Sequence, residues 1–209
     1  MPSVMVFSGK LPHVDVSAII SARLTRYAEL LKLWQPKINL VGPKTMSELW
    51  TRHFLDSAQL VPLLTGAARI CDLGSGAGFP GLVIAIFTGI EVHLIESDQR
   101  KAVFLREVSR ETSARAIVHA SRAEEVAPVG ADIVTARALA PLAQLLQLSY
   151  RHLRPGGRAL FLKGADWQGE VEAAHQAGWK FHVKHFPSTT APDAAILELT
   201  EIVPPILHS

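Results

Sequence analysis

The chain has 209 residues, 48% of them hydrophobic, enough to bury one sizeable core, so a single α/β unit with a small appendage is expected and two independent domains are not. Lys and Arg number 21 against 19 Asp and Glu, which excludes a strongly basic chain that would announce a nucleic-acid partner, while leaving room for a local basic patch. The one cysteine, Cys71, excludes an intramolecular disulfide and a multi-cysteine zinc centre and fits a reducing compartment.

Met1 to Lys10 lack the basic start and long apolar run of a secretory signal, and no stretch approaches the roughly 20 apolar residues of a membrane span, so a cytoplasmic, membrane-free protein is expected. From Val14 to Trp34 the pattern is helical: Leu24, Tyr27, Leu31 and Trp34 fall on one stripe, and Pro36 closes the helix. A second helix is expected from about Thr45 to Leu60, with Met46, Leu49, Trp50 and Leu60 on its apolar side and Pro62 near its end. Residues 1–65 thus read as a helical appendage, too thinly apolar to fold alone, packed on a core of residues 66–209 as one compact unit.

After Gly66 short β runs alternate with helical stretches, the signature of βαβ units and a mainly parallel, Rossmann-like sheet. Strands are expected at Arg69–Leu73, Glu91–Glu96, Ala116–His119, Asp132–Thr135 and Arg158–Leu162. Helices are expected at Gly81–Phe87, Arg100–Thr112 (capped by Asp98) and Pro141–Leu153. Leu153-Arg154-Pro155-Gly156-Gly157-Arg158 reads as a structural turn before the fifth strand. The tail differs: Lys180–Phe186 and Ala195–Val203 are strand-like runs joined by a polar loop, so the sheet should end in an antiparallel hairpin.

The strongest local signal is Ile70-Cys71-Asp72-Leu73-Gly74-Ser75-Gly76-Ala77-Gly78-Phe79-Pro80-Gly81, placed where the first strand hands over to a helix. Glycines there let a cofactor approach bare backbone. The dinucleotide fingerprint wants G-x-G-x-x-G facing a pyrophosphate; here Asp72 precedes Gly74, Gly76 and Gly78, and an acid at that strand end repels a pyrophosphate. It suits instead the cationic methionine portion of S-adenosyl-L-methionine, met directly or through water, which disfavours a nicotinamide dehydrogenase. Glu96, about twenty residues beyond the glycines, is placed to accept both ribose hydroxyls, the alternative being a solvated strand-end acid. Ser121-Arg122-Ala123-Glu124-Glu125 follows the third strand, where an adenine would lie; alone, it reads as a charged helix start.

The fourth strand runs into Thr135-Ala136-Arg137-Ala138, and no Asn/Asp-Pro-Pro-aromatic motif for an exocyclic amine is present. Carbon-5 methylation of a pyrimidine needs a cysteine nucleophile, but Cys71 reads as a small buried strand residue. Guanine N7 needs little activation: it carries a lone pair and no proton to remove, so no general base and no metal is called for, and alignment does the chemistry. Arg137 and Lys163, at adjacent strand ends, are the cations that could hold phosphate or base oxygens, or else serve as surface charges or ion-pair partners.

With these residues in place the sequence resembles the bacterial RsmG (GidB) family, the 16S rRNA (guanine(527)-N(7))-methyltransferases. The resemblance spans nearly the whole chain: Asn39-Leu40, Arg52-His53-x-x-Asp56-Ser57, the Asp72–Gly81 loop ending in Phe-Pro-Gly, Lys101-x-x-Phe104-Leu105, Ser121-Arg122-x-Glu124-Glu125, Arg137-Ala138 and Leu162-Lys163-Gly164. It implies cofactor contacts at Gly74, Phe79, Ala123, Glu124 and Arg137, a seven-stranded sheet, and a cytoplasmic enzyme acting on 16S rRNA or the small ribosomal subunit. Glu96 stands where many relatives show Asp, and Phe79 where Leu is common; both keep the chemistry. Asn39 and His53, with Lys163, are candidate substrate contacts. His53, Asp56 and Asn39 could equally anchor the appendage, a role favoured for Asp56. Two competing functions are a class I methyltransferase for a small molecule or protein, and a non-catalytic RNA-binding module. A monomer is expected, since no exposed heptad or large apolar run argues otherwise.

Overall fold

The computed structural model describes residues 16–206. The reading of Met1–Lys10, and Val14 at the expected start of the first helix, lie outside the described residues. Helix α1 spans Ala18–Trp34, capped by the Ser17 hydroxyl, which accepts from the Ile20 amide at 3.3 Å. Its buried stripe is Leu24, Tyr27, Ala28, Leu30 and Leu31.

The expected second helix is not continuous. A 3-10 turn at Pro43–Thr45 is followed by a wide π-helical stretch, Trp50–Leu55, that runs into a short α2, Asp56–Ala58, and Val61–Leu63 closes as another 3-10 turn. The interruption has a local cause: Thr45 turns its hydroxyl back on the Gly42 carbonyl at 2.8 Å, a bond that competes with helix propagation. The π stretch leaves Arg52, His53 and Asp56 pointing toward one region of the fold.

The sheet comprises β1 (Arg69–Leu73), β2 (Glu91–Ile95), β3 (Ala116–His119), β4 (Ala131–Arg137), β5 (Leu153–Lys163), β6 (Lys180–Pro187) and β7 (Ala195–Val203). Its order is β3-β2-β1-β4-β5-β7-β6, parallel from β3 to β5, with β7 antiparallel to both β5 and β6. The expected terminal hairpin is therefore present. β5 begins earlier than expected: Leu153 already pairs with Ala131, and the Arg154–Gly157 turn is an irregularity within the strand. The interleaved helices are α3 (Gly81–Thr88), α4 (Gln99–Thr112), α5 (Leu142–His152) and α6 (Trp167–Gln176). The Asp98 carboxylate caps α4, accepting from the Arg100 amide at 2.8 Å and the Lys101 amide at 3.3 Å.

Period-two alternation divides the core between the sheet's faces. Ile133 and Leu160 pack with Leu82, Phe104 and the appendage residues Leu24, Tyr27 and Phe54 on one side; Val134 and Phe161 pack with Leu145, Leu146 and Trp179 on the other. Appendage and α3–α4 thus share one apolar cluster. The chain runs outward from β1 to β3, then returns to β4 beside β1, so strand order reverses between β1 and β4. Open α/β sheets hold ligands at the carboxyl ends of the strands flanking such a reversal.

Candidate active site

A cleft of about 920 Å³ opens there, lined by the glycine-rich loop, Glu96, the segment after β3, the ends of β4 and β5, the π-helical stretch and the loop before β7. That size matches a small-molecule site.

Within the loop, Gly74, Ser75, Gly76, Ala77 and Phe79 line the cleft. Gly78 faces away from it: at φ +95°, a Cβ would stand 2.5 Å from Leu82 and 2.6 Å from the Tyr27 hydroxyl. Asp72 also departs from its expected role. It is fully buried, outside the cleft lining, with Oδ1 accepting from the Thr135 hydroxyl at 2.8 Å and Oδ2 from the Gly81 amide at 3.3 Å. Both oxygens bind the protein, so the carboxyl ties β1 to β4 and to the start of α3 instead of meeting a ligand. Burial pushes it up to about 6, with the Thr135 and Gly81 hydrogen bonds pulling the other way.

Glu96 does line the cleft. Its Oε2 accepts from the Gly76 amide and its Oε1 from the Asp98 amide, both at 2.7 Å, so one side chain fixes the glycine loop against the start of α4. Each oxygen keeps a further lone pair for a hydroxyl donor. Ser121, Arg122, Ala123 and Glu124 line the same end; the Ala123 carbonyl is bonded by the buried His152 at 3.0 Å, and Glu124 is exposed.

At the other end Arg137 is held on several sides. Its Nη1 donates to the Arg52 carbonyl at 2.9 Å and to Asp56 at 3.2 Å, its Nη2 donates to His53 Nδ1 at 2.8 Å, and its guanidinium lies over the Phe79 ring, 5.2 Å from the centroid. His53 Nε2 meets the Thr45 hydroxyl at 2.9 Å. Burial first, then the positive charges of Arg137 and Arg52, lower His53 to about 4, so the ring is neutral near neutral pH. Asp56 reaches further: Oδ1 accepts from the Thr190 hydroxyl at 2.6 Å and from Gln59 at 3.1 Å. This anchors the appendage to the loop before β7.

Lys163 lines the cleft but is engaged, its Nζ 2.6 Å from Glu170 and donating to the Ala140 carbonyl at 3.1 Å. Asn39 is exposed and outside the lining, although its neighbour Leu40 belongs to it. The sequence reading missed Glu170, which lies on the unassigned helix α6 and also accepts from the Leu142 amide at 2.7 Å. It also missed Thr45, Thr190 and Leu139. Only Thr45 carries a local signal, as a hydroxyl after Gly-Pro.

The arrangement offers a glycine-lined groove with a carboxylate at one end and a cation held by neutral and anionic acceptors at the other. No thiol chemistry is available from Cys71, which is buried within β1 and whose ionisation burial strongly disfavours.

The family model described as rRNA small subunit methyltransferase G matches residues 20–196. The chain is 53% identical over 193 residues to the ribosomal RNA small subunit methyltransferase G of Paramagnetospirillum magneticum, covering 92% of this chain and 94% of that protein. Among solved structures, an O-methyltransferase from Bacillus cereus in complex with SAH superposes with a TM-score of 0.58 at 13% identity, covering 90% of this chain and 93% of that one. M. jannaschii TYW2 in complex with AdoMet gives 0.58 at 14% identity, covering 79% and 78%. At such identities the likeness is one of fold, the Rossmann-like methyltransferase fold.

Proposed function

Because the chain belongs to the family of rRNA small subunit methyltransferase G, we propose that it transfers a methyl group from S-adenosyl-L-methionine to N7 of guanine 527 of 16S rRNA. The observation that carries the reading is the pairing of a glycine-lined groove with the Glu96 carboxylate in one cleft. A Cβ at Gly76 would meet nothing beyond its chain neighbours nearer than the Gly74 carbonyl at 3.8 Å, so the position is open beside Glu96 for a bound group. Gly74, Gly76, Phe79, Glu96, Ala123, Glu124 and Arg137 would hold the cofactor. Asp72 and Gly78 would support it from behind, as the geometry of both suggests.

When bound, the cofactor supplies a methyl group on a positively charged sulfur. The protein's part is alignment. Guanine N7 has a lone pair and no proton, so no residue has to act as base. The bases at hand are in any case committed, His53 Nδ1 to Arg137 and the Asp56 oxygens to Arg137, Thr190 and Gln59. Lys163, fixed by Glu170 and Ala140, sets the ends of β5 and of the Ala138–Ala140 loop, where the base would enter. Appendage and core act as one unit in this reading, since residues of both build the cleft, and the protein works as a monomer in the cytoplasm. No helix among the described residues is long and apolar enough to cross a membrane.

The test is methyl transfer from labelled S-adenosyl-L-methionine to deproteinised 16S rRNA and to assembled small subunits, followed by mapping of 7-methylguanine. Label at a single guanine supports the reading and identifies the assembly state recognised. Cofactor binding with no RNA labelling would redirect it to a small-molecule or protein substrate. Cofactor-independent RNA binding without transfer would favour a binding module.

A further inference from the structure

A chain of hydrogen bonds runs along the appendage wall of the cleft, and the chemistry of its two ends fixes the direction of every proton. The Gly42 carbonyl can only accept, so the Thr45 hydroxyl donates to it, at 2.8 Å. The guanidinium of Arg137 can only donate, so His53 Nδ1 accepts from it, at 2.8 Å. The remaining link, His53 Nε2 to Thr45 Oγ1 at 2.9 Å, must then run from Nε2–H to the hydroxyl oxygen. Gly42, Thr45, His53 and Arg137 all line the cleft. The imidazole therefore has one tautomer, set by Thr45 and read out by Arg137.

We propose that His53 is a positioning residue, which holds the Arg137 guanidinium over Phe79 for an anionic group of the bound cofactor; this rests on the cofactor reading above. The choice of imidazole has a physical logic. Arg137 already has one carboxylate partner, Asp56, which is shared with Thr190 and Gln59. A second carboxylate at the position of His53 would turn the Arg137–Asp56 pair net negative and repel an anion, and an apolar residue would leave Nη2 without this acceptor in a side chain only 18% exposed. A neutral acceptor fixes direction without spending charge. Tyr27 and Phe54 close the remaining side by packing on Phe79, so the ring beneath the guanidinium cannot slide.

The experiment compares the wild type with His53→Leu, His53→Gln, Thr45→Val and Arg137→Lys by calorimetric titration with S-adenosyl-L-methionine, alongside steady-state methylation of small subunits. His53→Leu is expected to raise the cofactor Kd and KM about tenfold while kcat changes less, in a protein that still unfolds cooperatively. His53→Gln, whose amide offers an acceptor to Arg137 and a donor to Thr45, is expected to recover most of the loss. Thr45→Val is expected to fall between, since it removes the partner of Nε2 together with the Thr45–Gly42 bond but leaves Nδ1 on Arg137. Arg137→Lys is expected to match or exceed His53→Leu. A second readout is direct: slow rotation of the Arg137 guanidinium, seen as resolved Nη–H resonances, is expected in the wild type and in His53→Gln and to be lost in His53→Leu. Wild-type cofactor affinity in His53→Leu, or no recovery in a folded His53→Gln, would overturn the proposal. If His53→Leu does not fold, Thr45→Val and His53→Gln carry the test. A wild-type protein that does not bind the cofactor at all fails earlier and differently, removing the functional reading itself.

Discussion

The hydroxyl of Tyr27, on the first helix, donates to the carbonyl of Ala77 in the middle of the glycine-rich loop, and its ring stacks on Phe79 at 5.2 Å. The appendage thus holds the loop directly, and does more than cover it. Tyr27→Phe keeps the ring but strands a buried carbonyl, so a loss of about 1–2 kcal/mol in stability is expected, together with a several-fold weaker hold on the cofactor. Urea unfolding and calorimetric titration of the same preparation check both.

Glu96 accepts two backbone amides, one on each oxygen. Glu96→Gln keeps shape but turns an NH2 toward one of those N–H donors, so it is expected to weaken cofactor binding about tenfold or more, close to Glu96→Ala. Lys163→Ala, which releases Glu170 and the Ala140 carbonyl at the base end, is expected to lower RNA methylation with cofactor affinity changed less than threefold. Equal loss of cofactor affinity in both variants would refute this division of labour.

Asp72 gives a pH signature. Its folded value of about 6 lies above the ordinary 3.8, because burial disfavours the charged form. The native state therefore binds this proton more tightly, and the contribution of Asp72 to stability is fully present below about pH 4 and is lost as pH rises through 6, a difference of roughly 3 kcal/mol. Asp72→Asn has no such titration. Measured by urea unfolding, the stability of the variant minus that of the wild type is expected to grow by about that amount from pH 4 to pH 7. A constant difference would show that the carboxyl titrates normally.

His53 behaves in the opposite sense. With its value lowered to about 4, it resists protonation in the fold, so its contribution is complete above the ordinary 6.5 and is lost as pH falls through 4. Nitrogen-detected NMR is expected to show a neutral ring protonated on Nε2 from pH 5 to 8. A midpoint near 6.5 would show that Arg137 and burial do not govern it.

Most of the architecture was legible because its signals are local. The glycine run between an apolar strand and an apolar helix, the Asp98 cap, and the polar loop between the last two strands each span a few residues, within the reach of propensity and periodicity. Helix α6 was not legible. Only Ala174 is buried along it and Gly169 in its first turn lowers its helix propensity, so it carries almost no periodic stripe, and Glu170 went unread with it. The break before Trp50 was hidden for the opposite reason: apolar spacing continues through a stretch where Thr45 diverts the backbone.

By itself the sequence determined which residues stand at the carboxyl ends of the parallel strands, and so where a ligand groove forms: Gly74 and Gly76 after β1, Glu96 after β2, Arg137 and Lys163 at the ends of β4 and β5. Only the tertiary structure decided which charges are free to meet a ligand. Asp72 faces Thr135 because β1 and β4 pair in that register, across 63 residues, and Arg137 meets His53 across 84. Hydrogen-bond satisfaction and desolvation are settled between partners at such separations, whereas propensity and periodicity extend only a few residues along the chain.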